Sequence, residues 1–485
     1  MRKLARLLLI GISLQFCLIS TTFSQTKVDK IKELMSAYAE LGKFNGSILV
    51  AVDGQVIYKG GYGLANMEWD LPNEANTKHR LGSVTKQFTA MLIMQQVEKG
   101  TLKLDVPITT YLPDYPKENG DKITLHHLLT HSSGIPNYTS FPGFFENTSR
   151  NPYTPEEFIQ VFADSTLDFE PGAKFSYSNS GYFLLGAILE KVTESTYEEL
   201  LHKDIFAPLG MEDTGFDHLE TILKNRATGY EQVGPSEYVN SAYLDMSIPY
   251  AAGSMYSTVE DLYTWDQALY TDKLISEKSK ELMFTGHVDA WSNQYGYGWG
   301  ISEFWPDEEM GYQTIGHGGG INGFNTVIRR IPEHKNLVVL LNNTGGTVLD
   351  DISSQIFSII YGAYYMLPKK SLAYGMLDVL DESGLDQALL WFEETKDEGT
   401  YGLVESEVNS AGYSLLNKGM VKEAIAVFTL NTVEFPESAN TYDSLGEAYV
   451  ADGNKAKGLE NYKKTVELQP NNPNAHAIIK ELEGK

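Results

Sequence analysis

The sequence is nearly devoid of cysteine, with one among 485 residues, Cys17. If the segment that holds it is removed on export, disulfides, a thiol nucleophile and cysteine-held metals are all excluded. Basic residues are also scarce. Lys and Arg number 38 against 64 Asp and Glu, for a net charge of −26. Nucleic-acid binding and docking on an anionic membrane both need a basic footprint, so both are excluded. Beyond the N-terminus, no run reaches the ~18 apolar residues of a membrane-crossing helix. Two common hydrolase signatures are absent as well: the Gly-x-Ser-x-Gly elbow and the His-Glu-x-x-His zinc helix. No metal or other cofactor is expected.

What is present begins with a targeting signal. Arg2, Lys3 and Arg6 precede the apolar run Leu7 to Ile19, and Ser20-Thr21-Thr22-Phe23-Ser24 forms a small, polar exit. Together they predict a secretory signal peptide over 1–24 and an exported protein, periplasmic or secreted. Leu14-Gln15-Phe16 ahead of Cys17 lacks the small residues of a lipid-attachment site.

The remaining length suits more than one domain at ~150 residues each. Ser47 to Val52 reads as a buried strand, Asp53-Gly54 as a turn and Gln55 to Tyr58 as its hairpin partner. Helices are predicted over 83–99, 180–200 and 257–270. Strands return at Tyr312 to His317, Thr326 to Arg330 and Leu337 to Leu341. Strands at both ends with helices between predict one domain over 27–365, its single sheet built from both ends of the segment with helices packed on it. Residues 366–385 read as a linker. Over 386–485, a shift of 34 pairs Gly412 with Gly446, Gly419 with Gly453, Phe428 with Tyr462 and Pro436 with Pro470. That period is the signature of tetratricopeptide helical repeats, a small all-α module able to present a groove to a protein or peptide partner.

Three motifs carry chemistry. Ser-x-x-Lys places both residues on one helical face, so a lysine freed of its proton can activate the serine hydroxyl. The chain has two such runs. Ser24 to Lys27 straddles the cleavage site, whereas Ser83-Val84-Thr85-Lys86 opens an apolar-periodic helix, where the N–H of Ser83 is free to bind an oxyanion. Tyr-x-Asn also occurs twice. Tyr177-Ser178-Asn179 directly precedes a helix, while Tyr238-Val239-Asn240 reads as a loop or substrate rim. Beside a lysine ammonium, the Tyr177 phenol is expected to have a lowered pKa and to relay protons. The Asn179 amide can hold lysine and substrate together. The third motif is His317-Gly318-Gly319-Gly320, where glycines let an edge strand approach a ligand.

Taken in order, these motifs resemble the serine β-lactamase and penicillin-binding protein superfamily, and within it the class C β-lactamase, D-Ala-D-Ala carboxypeptidase and esterase branch, which uses Tyr-x-Asn. Gly61 to Asn66, Leu128 to Gly134 and Tyr297-Gly298-Trp299-Gly300 support the resemblance over about residues 30–365. The resemblance implies an α/β (α+β) sandwich with a central antiparallel sheet flanked by helices, and an acyl-enzyme on Ser83, with Lys86 and Tyr177 sharing the proton transfers and Asn179 orienting Lys86 and substrate. The N–H groups of Ser83 and Gly320 would form the oxyanion hole, with His317 counted among the catalytic residues and Gly318 and Gly319 along the substrate. His131 is read as structural. Many β-lactamases have Lys-Thr-Gly at the third motif, and a histidine there points toward esters, D-amino-acid peptides or amides, with weak action on β-lactams. The alternative is a non-catalytic penicillin-binding-like protein that presents its repeats to a partner.

Overall fold

The computed structural model describes residues 26–233 and 237–484. The predicted signal segment and Cys17 lie outside them. Two compact units divide the chain: one runs to Glu231 and resumes over Asn240–Met366, the other joins Gln232–Val239 to the chain from Leu367 onward.

The first unit is built on an eight-stranded antiparallel sheet. Its strands are β1 (Gly46–Val52), β2 (Gln55–Tyr62), β3 (Val288–Ala290), β4 (Asn293–Tyr295), β5 (Gly300–Phe304), β6 (Tyr312–Ile321), β7 (Phe324–Ile331) and β8 (Asn336–Asn342), in the spatial order β3-β4-β5-β6-β7-β8-β1-β2. The first and last strands of the sheet in sequence, β1 and β8, therefore pair inside it, one strand in from the β2 edge, Ser47 opposite Leu341 and Leu49 opposite Val339. Both are apolar runs because both of their faces are covered. Leu49, Ala51, Val339 and Leu341 face the helices of the chain's middle, among them α1 (Thr85–Glu98), α2 (Asn179–Thr193) and α3 (Val259–Ala268). Ile48, Val50, Val338 and Leu340 face α4 (Leu349–Tyr361) and the N-terminal helix with Ile31, Leu34 and Met35. Alternation along each strand assigns the two faces. The predicted α/β sandwich with a central antiparallel sheet is the fold observed.

Some expectations change. Helix α1 is buried all round from Thr85 to Gln96, as a core helix is. It begins two residues later than predicted, because Gly82–Val84 forms a 3₁₀ turn that carries Ser83. The strand expected to stop at His317 runs on to Ile321, so the glycine run is strand and not loop. Nor is β6 an edge strand, since it lies between β5 and β7. Its pairing with β5 nonetheless ends at Gly316, which leaves one side of His317 to Gly320 open. Tyr238–Asn240 is a short strand rather than a loop.

From Leu367 onward the second unit is helical beyond one short strand pair: α5 (Leu372–Ser383), α6 (Leu385–Thr395), α7 (Glu405–Asn417), α8 (Val421–Glu434), α9 (Ala439–Ala451), α10 (Lys455–Leu468) and α11 (Pro473–Leu482). The expected linker 366–385 is instead mostly α5, whose Leu372, Met376 and Leu380 are buried in this unit's own core. Helices α7 and α8 recur as α9 and α10 after 34 residues at both ends of each helix. Gly412 lies under the Phe428 ring as Gly446 lies under Tyr462, so each inter-helix contact repeats too.

Candidate active site

Ser83 sits where three elements converge. Gly82 before it has φ 52°, a left-handed value that favours glycine, and a Cβ there would lie 3.0 Å from the Gly320 nitrogen. The serine turn and the open side of β6 are thus in direct backbone contact. Thr326 on β7 fastens them by donating from its hydroxyl to the Leu81 carbonyl at 2.7 Å. On the other flank, Leu81 N–H donates to the Met255 carbonyl at 2.8 Å.

Lys86, one turn further along, is fully buried. Its Nζ lies 3.0 Å from Ser83 Oγ and donates to Asn179 Oδ1 and to the Ala252 carbonyl, each at 2.8 Å. Burial holds its pKa well below the usual lysine value. A neutral amine has two N–H groups and one lone pair. With both N–H groups taken by Asn179 and Ala252, the lone pair is left for the serine proton. The Ala252 carbonyl is held in place by the short helix Tyr250–Gly253, which Thr89 on α1 engages by donating to the Ala251 carbonyl at 2.6 Å.

Tyr177 and Asn179 precede and open α2, as the sequence indicates. Asn179 is oriented from behind: its backbone N–H and its Nδ2 both donate to Asn137 Oδ1, at 3.1 and 3.2 Å. That leaves Asn179 Oδ1 turned toward Lys86. The Tyr177 phenol is hydrogen-bonded to Ser83, and its ring centroid is 4.9 Å from Lys86 Nζ. The expected lowering of its pKa is not found. Burial pushes the phenol up and outweighs the hydrogen bond to Ser83. Tyr177 is therefore a protonated phenol, a donor in the resting site.

His131 backs this tyrosine, its ring 4.1 Å from that of Tyr177 centroid to centroid. Its Nδ1 accepts from the Ser178 N–H at 3.2 Å, and burial holds its pKa well below the ordinary histidine value. It packs and positions the Tyr177 loop, in line with the structural reading.

His317 lies on the open side of β6. Its Nδ1 donates to the Gly318 carbonyl and its Nε2 accepts from the Tyr295 hydroxyl at 2.8 Å, an arrangement that assigns the tautomer. Desolvation, with Lys86 adding to it, lowers its pKa to about 4. Both ring nitrogens are occupied and the ring is neutral, so His317 offers no cation to a substrate carboxylate. The two glycines after it part company. Gly318 lines the cavity beside His317, whereas Gly319 is buried, and a Cβ on it would lie 2.0 Å from the Leu81 carbonyl oxygen. Gly319 is a close-packing position between β6 and the serine turn, not a substrate contact.

Ser83 opens onto two cavities. One, of about 600 Å³, is shared with Tyr177, Trp291, Tyr295, His317 and Gly318. The other, of about 410 Å³, is shared with Asn179, Gly320 and a largely apolar wall. Tyr238 and Asn240 line neither. Among the described residues, no group of acidic, histidine or cysteine side chains is arranged to hold a metal. Sequence reasoning missed Asn137, Tyr295 and the Ala252 carbonyl. Asn137 lies three residues beyond the run Leu128 to Gly134, and that nearness is its only signal. A backbone carbonyl leaves none.

Comparison with known proteins agrees with this geometry. The Beta-lactamase family model matches residues 29–355. The chain is 31% identical over 369 residues to Penicillin-binding protein 4* of Bacillus subtilis, covering 71% of this chain and 79% of that one. Among solved structures it is similar to the octameric penicillin-binding protein homologue from Pyrococcus abyssi, with 32% identity, a TM-score of 0.61 and 73% and 82% of the two chains covered. It is also similar to the D-amino acid amidase from Ochrobactrum anthropi SV3, with 26% identity, a TM-score of 0.57 and 65% and 93% covered. The Ser83–Lys86–Tyr177–Asn179 constellation, the antiparallel sheet behind it and these likenesses converge: the chain belongs to the beta-lactamase family, the penicillin-binding and β-lactamase serine hydrolases.

Proposed function

We propose that the protein is an exported acyl-transfer hydrolase of the class C-like carboxypeptidase and esterase branch, acting on esters and D-amino-acid amides or peptides and only weakly on β-lactams. The observation that carries this reading is the buried Lys86 amine 3.0 Å from Ser83 Oγ with both N–H groups already accepted. Ser83 Oγ attacks the substrate carbonyl carbon while Lys86 takes its proton. The oxyanion is bound by the N–H groups of Ser83 and Gly320, two residues that line the same cavity. The Tyr177 phenol passes a proton to the leaving alcohol or amine and is reprotonated through Lys86. Water then attacks the acyl-enzyme and the same groups return Ser83 to its resting state.

The neutral, internally satisfied His317 supports esters and uncharged amides over β-lactams, whose carboxylate would meet no cation there. The amidase and penicillin-binding likenesses support the same substrate range. Export rests on the segment 1–24, and the 34-residue recurrence of helix pairs supports tetratricopeptide-like repeats that recruit a protein or peptide partner. The non-catalytic alternative is disfavoured because a retired site has no use for a buried lysine, its charged form disfavoured, beside a serine. A fluorescent alkyl phosphonate should label the native protein and not Ser83→Ala. A native protein inert to phosphonates, penicillins and simple esters alike would sink the proposal.

A further inference from the structure

The 410 Å³ cavity on the Asn179 side of Ser83 has a mixed character. Its wall includes Tyr138, Phe144, Phe145, Leu244, Ile248 and Phe324, and the one charged residue lining it is Glu231. A carboxylate in an apolar wall is costly unless something holds it. Here the backbone does. Glu231 Oε1 accepts from the Gly323 N–H at 2.8 Å. Glu231 also pairs with Gly345 across two short parallel strands, where a Cβ on Gly345 would lie 1.9 Å from Oε2. The residue opposite must therefore be glycine for the carboxylate to fit. Burial pushes the carboxyl pKa up and the Gly323 N–H alone opposes it, so no lysine or arginine of the described residues neutralises this anion.

The cavity's place in the reaction follows from the proton path. Tyr177, the donor to the leaving group, lines the opposite cavity, so the leaving group lies there and the acyl group lies on the Glu231 side. The reach is set by β6. Gly323, in the turn after β6, is three residues beyond Gly320, so its N–H lies at most about 10 Å from the Gly320 N–H, and the carboxylate is one hydrogen bond of 2.8 Å further. We infer that this cavity is an acyl subsite for an apolar acyl chain ending in an ammonium group, with Glu231 as the specificity-determining anion. The inference rests on the acyl-transfer reading above. An α-ammonium would stay near Ser83, whereas an amine at the end of a side-chain-length tether would reach Glu231.

The test compares 4-methylumbelliferyl esters of 6-aminohexanoate and heptanoate, matched in length and differing in charge. The native protein should prefer the ammonium-ended ester by about tenfold or more in kcat/KM, the scale of one charge-assisted hydrogen bond. The ratio should collapse toward one in Glu231→Gln. It should also fall in Gly345→Ala, which displaces the carboxylate without removing it, and should fade as the pH drops and Glu231 is protonated. A native ratio near one, or a ratio unchanged in Glu231→Gln, overturns the subsite. If neither ester is turned over, the acyl-transfer reading has failed. Calorimetry of hexylammonium against 1-hexanol on Ser83→Ala then still reads the cavity. Heat for the amine that vanishes in Ser83→Ala/Glu231→Gln supports the subsite, and equal or absent heats for the two ligands overturn it.

Discussion

At the scale of single residues, the site works by removing charge. Lys86, His131 and His317 are all basic, and burial disfavours the charged form of all three. Only Lys86 faces the serine with a lone pair to use. Lowering the pH returns its proton, so kcat/KM on a neutral ester should rise with pH along an acid limb and then level off. His317 titrates at about 4, so His317→Asn should leave the position of that limb unchanged. A limb that moves would assign the base to the imidazole instead. Asn137 offers a sharper lever, because it touches neither Ser83 nor Lys86 and acts through Asn179. Asn137→Ala frees the Asn179 amide to rotate and should lower kcat by about 10²-fold, the usual cost of a small misplacement. Asn137→Asp keeps the acceptor but adds negative charge near Lys86. The ammonium is then favoured, and the acid limb should shift to higher pH. A merely structural asparagine would change protein yield without moving the limb.

At the scale of elements, the contact between β6 and the serine turn decides whether the oxyanion donors are in place. Gly318 and Gly319 look interchangeable as letters, yet alternate residues of a strand face opposite ways. Gly318 has open space, its added Cβ coming no nearer than 3.8 Å to Thr326, while Gly319 meets the Leu81 carbonyl. Gly318→Ala should therefore keep the native Tm. Gly319→Ala should cost about 1–3 kcal/mol by overpacking and depress ester turnover with it. Equal Tm values for the two variants would contradict the assigned register. This pair also marks how far the sequence was legible. The long strands, α2 with its Tyr-x-Asn entry and the 34-residue recurrence could be read because hydrophobic period and turn residues are local signals. The hairpin of β3 and β4 could not, since three-residue strands carry no period, and with it went Tyr295 and Trp291. Helix α5 was taken for a linker although Leu372, Met376 and Leu380 recur at helical spacing. The direction of the Tyr177 shift was missed because burial is a tertiary quantity.

At the scale of the whole molecule, the large hydrophobic cores among the described residues number three, two in the catalytic unit and one in the helical unit. Those of the catalytic unit pack on the faces of the eight-stranded sheet, while the helical unit has its own, running from Leu372 through Phe428 to Ala448. A core is a cooperative unit, so perturbations placed in one should be read out in that one. A phosphonate bound covalently at Ser83 belongs to the catalytic unit and should raise the transition of that unit in scanning calorimetry. Gly412→Leu acts elsewhere: a Cβ there already lies 2.5 Å from the Phe428 ring, and Phe428 is fully buried. That substitution should lower a second transition by roughly 5 °C or more. The phosphonate-raised transition should stay in place in Gly412→Leu, and ester turnover at 25 °C should persist. If Gly412→Leu instead lowers the transition that the phosphonate raises, the helices are part of the cooperative unit that holds the active site, and their role extends beyond partner recruitment.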